Sequence, residues 1–192
     1  MLLTGTQLES KRNHRTLFKA LNFELDAGQL LLVEGHNGSG KTTLLKTLAG
    51  LREPDAGQVL WEAEYRPQFV WLGHANGIKD DLTALENLRA MQTNSLPPKT
   101  VLEQMGLAGH GNRFPRHFSA GMKRRLALCR LLLSDAPLWI LDEPQAALDK
   151  AGIRLFEALL SGHLQQGGSV VMTSHHDIGL EGQHIRRLGL GT

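Results

Sequence analysis

The sequence predicts an α/β fold with a mainly parallel core sheet, and three observations carry the prediction. Short apolar runs bounded by turn residues alternate with segments of helical pattern, the order expected when helices cover a parallel sheet. One run, LLLVE over Leu30–Glu34, leads straight into the glycine-rich loop GHNGSGKT and then a helix. Another, LWIL over Leu138–Leu141, delivers the adjacent acids Asp142 and Glu143 to a strand end.

Each element has a local reason. LNFEL from Leu21 alternates apolar and polar residues as a half-buried strand does, and Asp26–Ala27–Gly28 turns it toward LLLVE, which reads as an edge hairpin flanking a buried strand. Lys41 to Ala49 is helical, with Gly50 placed to cap its C-terminus. REPDAGQVLWEA gives a turn and a short strand, and FVWL gives another. Thr83 and Glu86 form a capping box opening TALENLRAMQ, and PPKTVLEQMG is a further helix with proline at its start and glycine at its end. The chain returns to helix from Ser119, strand at Leu138–Leu141, helix after Asp149 and strand from Ser169.

At 192 residues the chain is expected to be a single domain, 1–192, with a helical part over roughly 75–135. A composition of 41% hydrophobic and 21% charged residues excludes disordered and fibrous classes. Apolar runs end far short of the ~20 residues a membrane helix needs, and MLLTGTQLESKR lacks the pattern of a signal peptide, so a cytoplasmic location is expected. The single Cys129 excludes an internal disulfide, and its helical setting reads as burial. A net charge of +2 is too mild to indicate nucleic acid. Lys123, Arg124 and Arg125 read as a solvated helix face.

GHNGSGKT matches the phosphate-binding pattern GxxxxGK[ST] between a strand and a helix. Its glycines let backbone N–H groups of Gly35, His36, Asn37, Gly38, Ser39 and Gly40 converge on phosphate oxygens, and the helix beginning near Lys41, Thr42 and Thr43 adds its positive end. Lys41 is expected to reach the β and γ phosphates of ATP, and the Thr42 hydroxyl to meet Mg²⁺, which takes hard oxygen ligands. Asp142 suits Mg²⁺, directly or through water, while Glu143 is placed to deprotonate an attacking water. His175, just beyond the strand SVVMT, is placed to sense the γ phosphate.

FSAGMKRR is a second anion-type loop. Ser119 caps the helix that follows, and Ala120 and Gly121 leave its N-terminal N–H groups open. Because GHNGSGKT already takes the phosphates, a second loop facing the same nucleotide has to come from another copy of the chain. ATP is then expected to be shared between two protomers, with Ser119 and Gly121 of one touching the γ phosphate held by the other.

With these motifs in this order, the chain resembles the ATP-binding subunits of ABC transporters: the phosphate loop, FSAGM as the signature loop, WILDEP as the acidic strand, AALD over Ala146–Asp149 as the D-loop, and His175 as the switch histidine. The resemblance implies an ABC-type nucleotide-binding domain with an antiparallel edge sheet and a helical signature region. It also implies a head-to-tail dimer with two sandwiched ATP molecules and Asp149 at its interface. Arg12 stands where the family usually stacks adenine on an aromatic ring, His74 where a glutamine links Mg²⁺ and water to the membrane subunits, and Ala120 and Met122 where glycine and glutamine are commoner.

LFKALNFEL, PDAGQVLW, WLGHANGIK, LTALENL, FSAGMKRRLALCRL and LWILDEP together resemble the ATP-binding subunits of cytochrome c maturation haem exporters. That resemblance implies integral membrane subunits as partners, peripheral attachment to the cytoplasmic face of a bacterial inner membrane, and haem as cargo. The segment from His74 to Leu88 is expected to meet the membrane partner. The alternatives are the ATPase of another small-cargo transporter and a soluble ABC protein; a P-loop kinase is disfavoured because FSAGM and AALD occupy the chain where an acceptor site and lid would stand.

Overall fold

The computed structural model describes residues 2–13, 15–62, 68–174, 178–180 and 185–191. A three-stranded antiparallel sheet is made by β1 (Leu3–Arg12), β2 (Arg15–Leu25) and β4 (Ala56–Trp61), in the order β2-β1-β4. The second sheet is parallel and contains β3 (Leu30–Glu34), β5 (Phe69–Leu72), β6 (Leu138–Leu141), β7 (Ser169–Thr173) and β8 (Ile185–Gly189), ordered β5-β6-β7-β3-β8. Helices α1 (Lys41–Leu48), α2 (Ala84–Met91), α3 (Pro98–Gln104), α4 (Ala120–Leu132) and α5 (Lys150–Gln165) complete the regular structure, with a 3₁₀ turn at Pro115–His117.

The central strands are apolar throughout because both faces of the parallel sheet are covered. Alternation along each strand divides the core in two. Leu30 and Leu32, Trp139 and Leu141, and Val170 and Met172 face a cluster formed with α2, α3, α4 and α5. Leu31 and Val33, Leu138 and Ile140, and Val171 face the opposite way, onto α1 and the antiparallel sheet through Leu44, Leu48, Leu3 and Phe23. Cys129 is buried, and burial pushes its thiol up to about 12, so it serves as a small apolar side chain at neutral pH.

Start and stop signals act where the sequence places them. Thr83 Oγ1 accepts from the Glu86 amide while the Glu86 carboxylate accepts from the Thr83 amide, closing the capping box. Ser119 Oγ accepts from the Met122 amide and Asp149 Oδ1 from the Gly152 amide, so α4 and α5 both begin with side-chain caps. Gly50 and Gly106 take positive φ just past α1 and α3.

Two strands are additions to the sequence reading. The N-terminal stretch forms β1, which lies between β2 and β4, and Ile185–Gly189 forms β8 beside β3. The strand expected from Leu21 begins six residues earlier, at Arg15, and it forms a hairpin with β1 rather than with β3. The Asp26–Gly28 turn therefore passes from one sheet to the other.

The β1–β4 pairing holds an irregularity between Thr6 and Glu9, where Gln7 has φ 51 and Gly57 φ 80. A Cβ at Gly57 would stand 2.3 Å from the Gln7 carbonyl oxygen, a backbone atom that cannot turn aside. Gly57→Ala is expected to lower stability by about 2–4 kcal/mol, combining the overpacking with the positive φ. Chemical denaturation of the full chain would show this as a lower midpoint.

Candidate nucleotide-binding and hydrolysis site

The sheet register brings the site together. Leu72 pairs with Leu141, Leu141 with Met172, and Val33 with Thr173, so β5, β6, β7 and β3 end at one level. The phosphate loop leaves β3 at this level, and Gly40, at φ 101, is the N-cap of α1. An added Cβ would lie 2.6 Å from the Leu190 carbonyl at Gly35 and 3.0 Å from the Leu17 Cβ at Gly40. The loop is thus packed on its own support and needs glycine there.

Lys41 is buried, and its Nζ donates to the Gly35 carbonyl at 2.7 Å and the His36 carbonyl at 3.2 Å. Among the described residues no carboxylate lies within ion-pair distance of it. A buried ammonium held only by neutral carbonyls is a place prepared for an anion. A cleft of about 470 Å³ opens beside it, lined by Arg12, Leu17, Asn37, Lys41, Thr43 and Glu143 among others. Arg12 reaches this cleft from the end of β1, beside Arg15, with which it pairs across the hairpin. His36 and Ser39 line a neighbouring cavity of about 480 Å³ instead, on the side of Gly191.

Asp142 is 2% exposed. One carboxylate oxygen accepts from Thr42 Oγ1 at 2.8 Å and the other from Thr173 Oγ1 at 3.0 Å. Thr173 also accepts from the Glu143 amide at 2.8 Å, and the Asp142 amide donates to the Leu72 carbonyl at 2.7 Å. Three elements, α1, β6 and β7, are therefore locked through one carboxylate. Glu143 follows with φ 48, an unusual backbone for a non-glycine residue, and it lines the cleft.

Hydroxyl and carboxylate oxygens at Thr42 and Asp142 form a hard donor set that fits Mg²⁺. No group of three or more His, Cys, Asp or Glu residues arranged for a metal occurs among the described residues.

Ser119, Gly121 and Asp149 do not line this cleft. They form a second group at the N-termini of α4 and α5, where a Cβ on Gly121 would lie 3.0 Å from the Ala147 carbonyl and Arg125 pairs with Asp149. The backbone bond to Gly152 and then the Arg125 guanidinium hold the Asp149 carboxyl below its ordinary range. His74 is exposed on the loop after β5 and does not line the cleft. His175 lies outside the described residues.

The basic run of α4 corrects the sequence reading. Lys123 donates to Asp80 at 2.9 Å, Arg125 pairs with Asp149, and Arg124 between them is 3% exposed. The physical reason is helix phase: Arg124 lies three, four and seven residues before Ala127, Leu128 and Leu131, on the buried stripe. Thr173 was also passed over, although its place as the last residue of SVVMT puts it at the same strand-end level as Asp142.

A phosphate loop and a buried acid at the ends of a parallel sheet, with an antiparallel sheet on one side and a capped helix carrying a second loop, define an ATP-binding cassette ATPase. The ABC transporter family model matches residues 18–146. A cytochrome c biogenesis ATP-binding export protein, CcmA, of Vibrio cholerae is 43% identical, with 99% of each chain covered, and one of Pseudomonas putida is 46% identical over 98% of this chain and 96% of its own. A solved ATP-binding subunit of an ABC transporter superposes with TM-score 0.86 at 26% identity, covering 99% of this chain and 86% of that one. The chain belongs to the ABC transporter family and, within it, to the cytochrome c biogenesis ATP-binding export proteins. It is an ATP-binding and ATP-hydrolysing subunit.

Proposed function

We propose that the chain hydrolyses Mg-ATP in a two-copy sandwich to power haem export for cytochrome c maturation, on the cytoplasmic face of a bacterial inner membrane. The observation that carries the hydrolytic part is the lock of Thr42, Asp142 and Thr173, which sets Glu143 at the lip of the cleft that Lys41 floors.

In this reading Lys41 turns from the loop carbonyls to the β and γ phosphates, and the loop amides hold the same oxygens. Thr42 and Asp142 would hold Mg²⁺, which would supply positive charge beside the phosphates. Glu143 accepts the proton of an attacking water, and His175 holds the water or the γ phosphate in line. Arg12 stacks on adenine through its planar guanidinium. Ser119 and Gly121 of the second copy close on the γ phosphate, and Asp149 crosses the interface. The grouping of Ser119, Gly121 and Asp149 away from their own chain's cleft supports this sharing. A solved ATP-binding cassette with ADP and phosphate is a dimer, and this chain shares its fold with TM-score 0.81 at 22% identity.

No helix among the described residues is long and apolar enough to cross a membrane. In this reading attachment is through integral membrane subunits, met by the His74–Leu88 segment. The names of the related export proteins support haem maturation as the setting. The test is recovery of a tagged chain from native membranes in mild detergent. Small membrane subunits and haem-handling proteins are the expected companions. A different permease would discard the haem, and soluble partners alone would overturn the transporter reading.

A further inference from the structure

The strongest unassigned feature is the buried guanidinium of Arg124. Its Nη2 donates to the carbonyls of Asp142 at 3.0 Å and Glu143 at 2.7 Å, and its Nε to that of Pro144 at 3.0 Å. The remaining nitrogen, Nη1, donates to the Gly73 carbonyl at 3.1 Å and to Asn76 Oδ1 at 3.0 Å. All three guanidinium nitrogens are engaged, and the acceptors come from two segments that the sequence separates by more than sixty residues. One is the acidic strand end that carries Glu143; the other is the loop after β5 that carries His74.

We propose that Arg124 is a positioning residue that couples the loop after β5 to the backbone of Glu143, so that the reach of the catalytic carboxylate follows the position of that loop. Three further observations support it. Glu143 holds φ 48, a conformation that persists only where its surroundings over-determine it. The surroundings are Thr173 on its amide, with Arg124 and the Ala146 amide on its carbonyl. Arg130, six residues further along α4, holds the end of β5 through the Trp71 carbonyl and the same loop through the Asn76 carbonyl, so the loop is fixed to the helix that opens with Ser119. Burial, and then the neighbouring Arg130, lower the Arg124 guanidinium to about 10, which leaves it charged at neutral pH.

The coupling has a direction. A shift of the loop pulls Gly73 and Asn76 against Nη1, and a rigid planar fork passes that displacement to the Asp142 and Glu143 carbonyls on its other edge. Lys41 is bound to neither edge, and Thr42 meets Asp142 at its carboxylate rather than at the carbonyl that the fork holds, so the phosphate loop is linked to the fork less directly than Glu143 is. Partner contact at the loop would thus act on turnover more than on affinity.

The inference rests on Glu143 as the general base. The experiment uses the full chain in its purified membrane complex, with turnover normalised to bound nucleotide so that a lost folded fraction does not count. Arg124→Lys keeps the charge but cannot span both segments, and kcat is expected to fall ~10–100-fold with ATP affinity within ~3-fold. Asn76→Ala removes only the loop's side-chain acceptor, is expected to lower kcat ~3–10-fold, and decides the matter if Arg124→Lys does not fold. The double variant should lose no more than Arg124→Lys alone. Glu143→Gln runs in the same assay. If it abolishes turnover while Asn76→Ala and any folded Arg124→Lys keep full kcat, the coupling is wrong and the base stands. If Glu143→Gln keeps full turnover, the catalytic reading falls and the coupling with it. A loss of affinity matching the loss of kcat would make Arg124 structural and would also overturn it.

Discussion

Glu143→Gln is expected to lower ATP turnover by ~10²–10⁴ while leaving nucleotide binding in place, because it removes the proposed general base and leaves the residues proposed to hold phosphate untouched. The change is nearly isosteric. Glu143 is held through its backbone, by Thr173 Oγ1 on the amide and Arg124 on the carbonyl, and both bonds survive the substitution. The φ of 48 is no harder for glutamine than for glutamate, so the strand end keeps its shape. Lys41 and Thr42 keep their partners, the loop carbonyls and the Asp142 carboxylate. Single-turnover hydrolysis together with equilibrium ATP binding separates the two quantities. A second readout follows from the sandwich: with hydrolysis blocked, ATP should hold the purified variant at twice its monomer mass. Turnover within threefold of the unmodified chain would remove Glu143 from the role of base.

How legible this was from the sequence differs from element to element, for physical reasons. The parallel strands were readable because burial on both faces forces continuous apolar runs such as LLLV and LWIL. Strand β1 was not, because TGTQLESKR carries polar residues at most positions and the register slips around Gln7 and Leu8. Strand β8 is an edge strand paired only with β3, and IRRLG shows its charges to solvent. The phosphate loop was readable because its glycines answer a backbone demand that no other residue meets at Gly38 and Gly40. At Arg124 charge and helix phase point opposite ways, to solvent and to the core, and phase prevails. Counting along α4 places it on the stripe of Ala127, Leu128 and Leu131, and a charge there requires partners for all its donors.

The burial of Arg124 bears on what FSAGMKRR does. Its polar half offers the N-terminus of α4, while its basic half fastens the same helix at three points: Lys123 to Asp80, Arg124 to Gly73 and the acidic strand end, and Arg125 to Asp149. The exposed pairs with Asp80 and Asp149 contribute little to stability, because water screens them. Their value is geometric. They tie the helix to the loop after β5 and to the start of α5. A charge reversal at Asp80 therefore disturbs α4 as well as any partner surface, and Lys79 is the cleaner site for testing membrane-subunit contact.

Lys41→Met should raise the ATP dissociation constant at least ~30-fold, the effect of losing a charge that meets phosphate in a water-poor site. Unlike most core substitutions, it should not weaken the nucleotide-free protein. Lys41 is 7% exposed, and its ammonium is satisfied only by the carbonyls of Gly35 and His36, without a carboxylate among the described residues. A buried cation in that setting is costly, and an apolar chain of similar length removes the cost while keeping the packing. The two carbonyls lose a donor, a smaller loss than the cost of the buried charge that is removed. Affinity and thermal stability should therefore move in opposite directions, or affinity should fall with the unfolding temperature unchanged. Isothermal titration with ATP and a thermal melt without nucleotide would measure both. A fall in unfolding temperature equal to that of an ordinary buried truncation would mean that Lys41 props the loop. Unchanged affinity would mean that the phosphates lie elsewhere in the cleft.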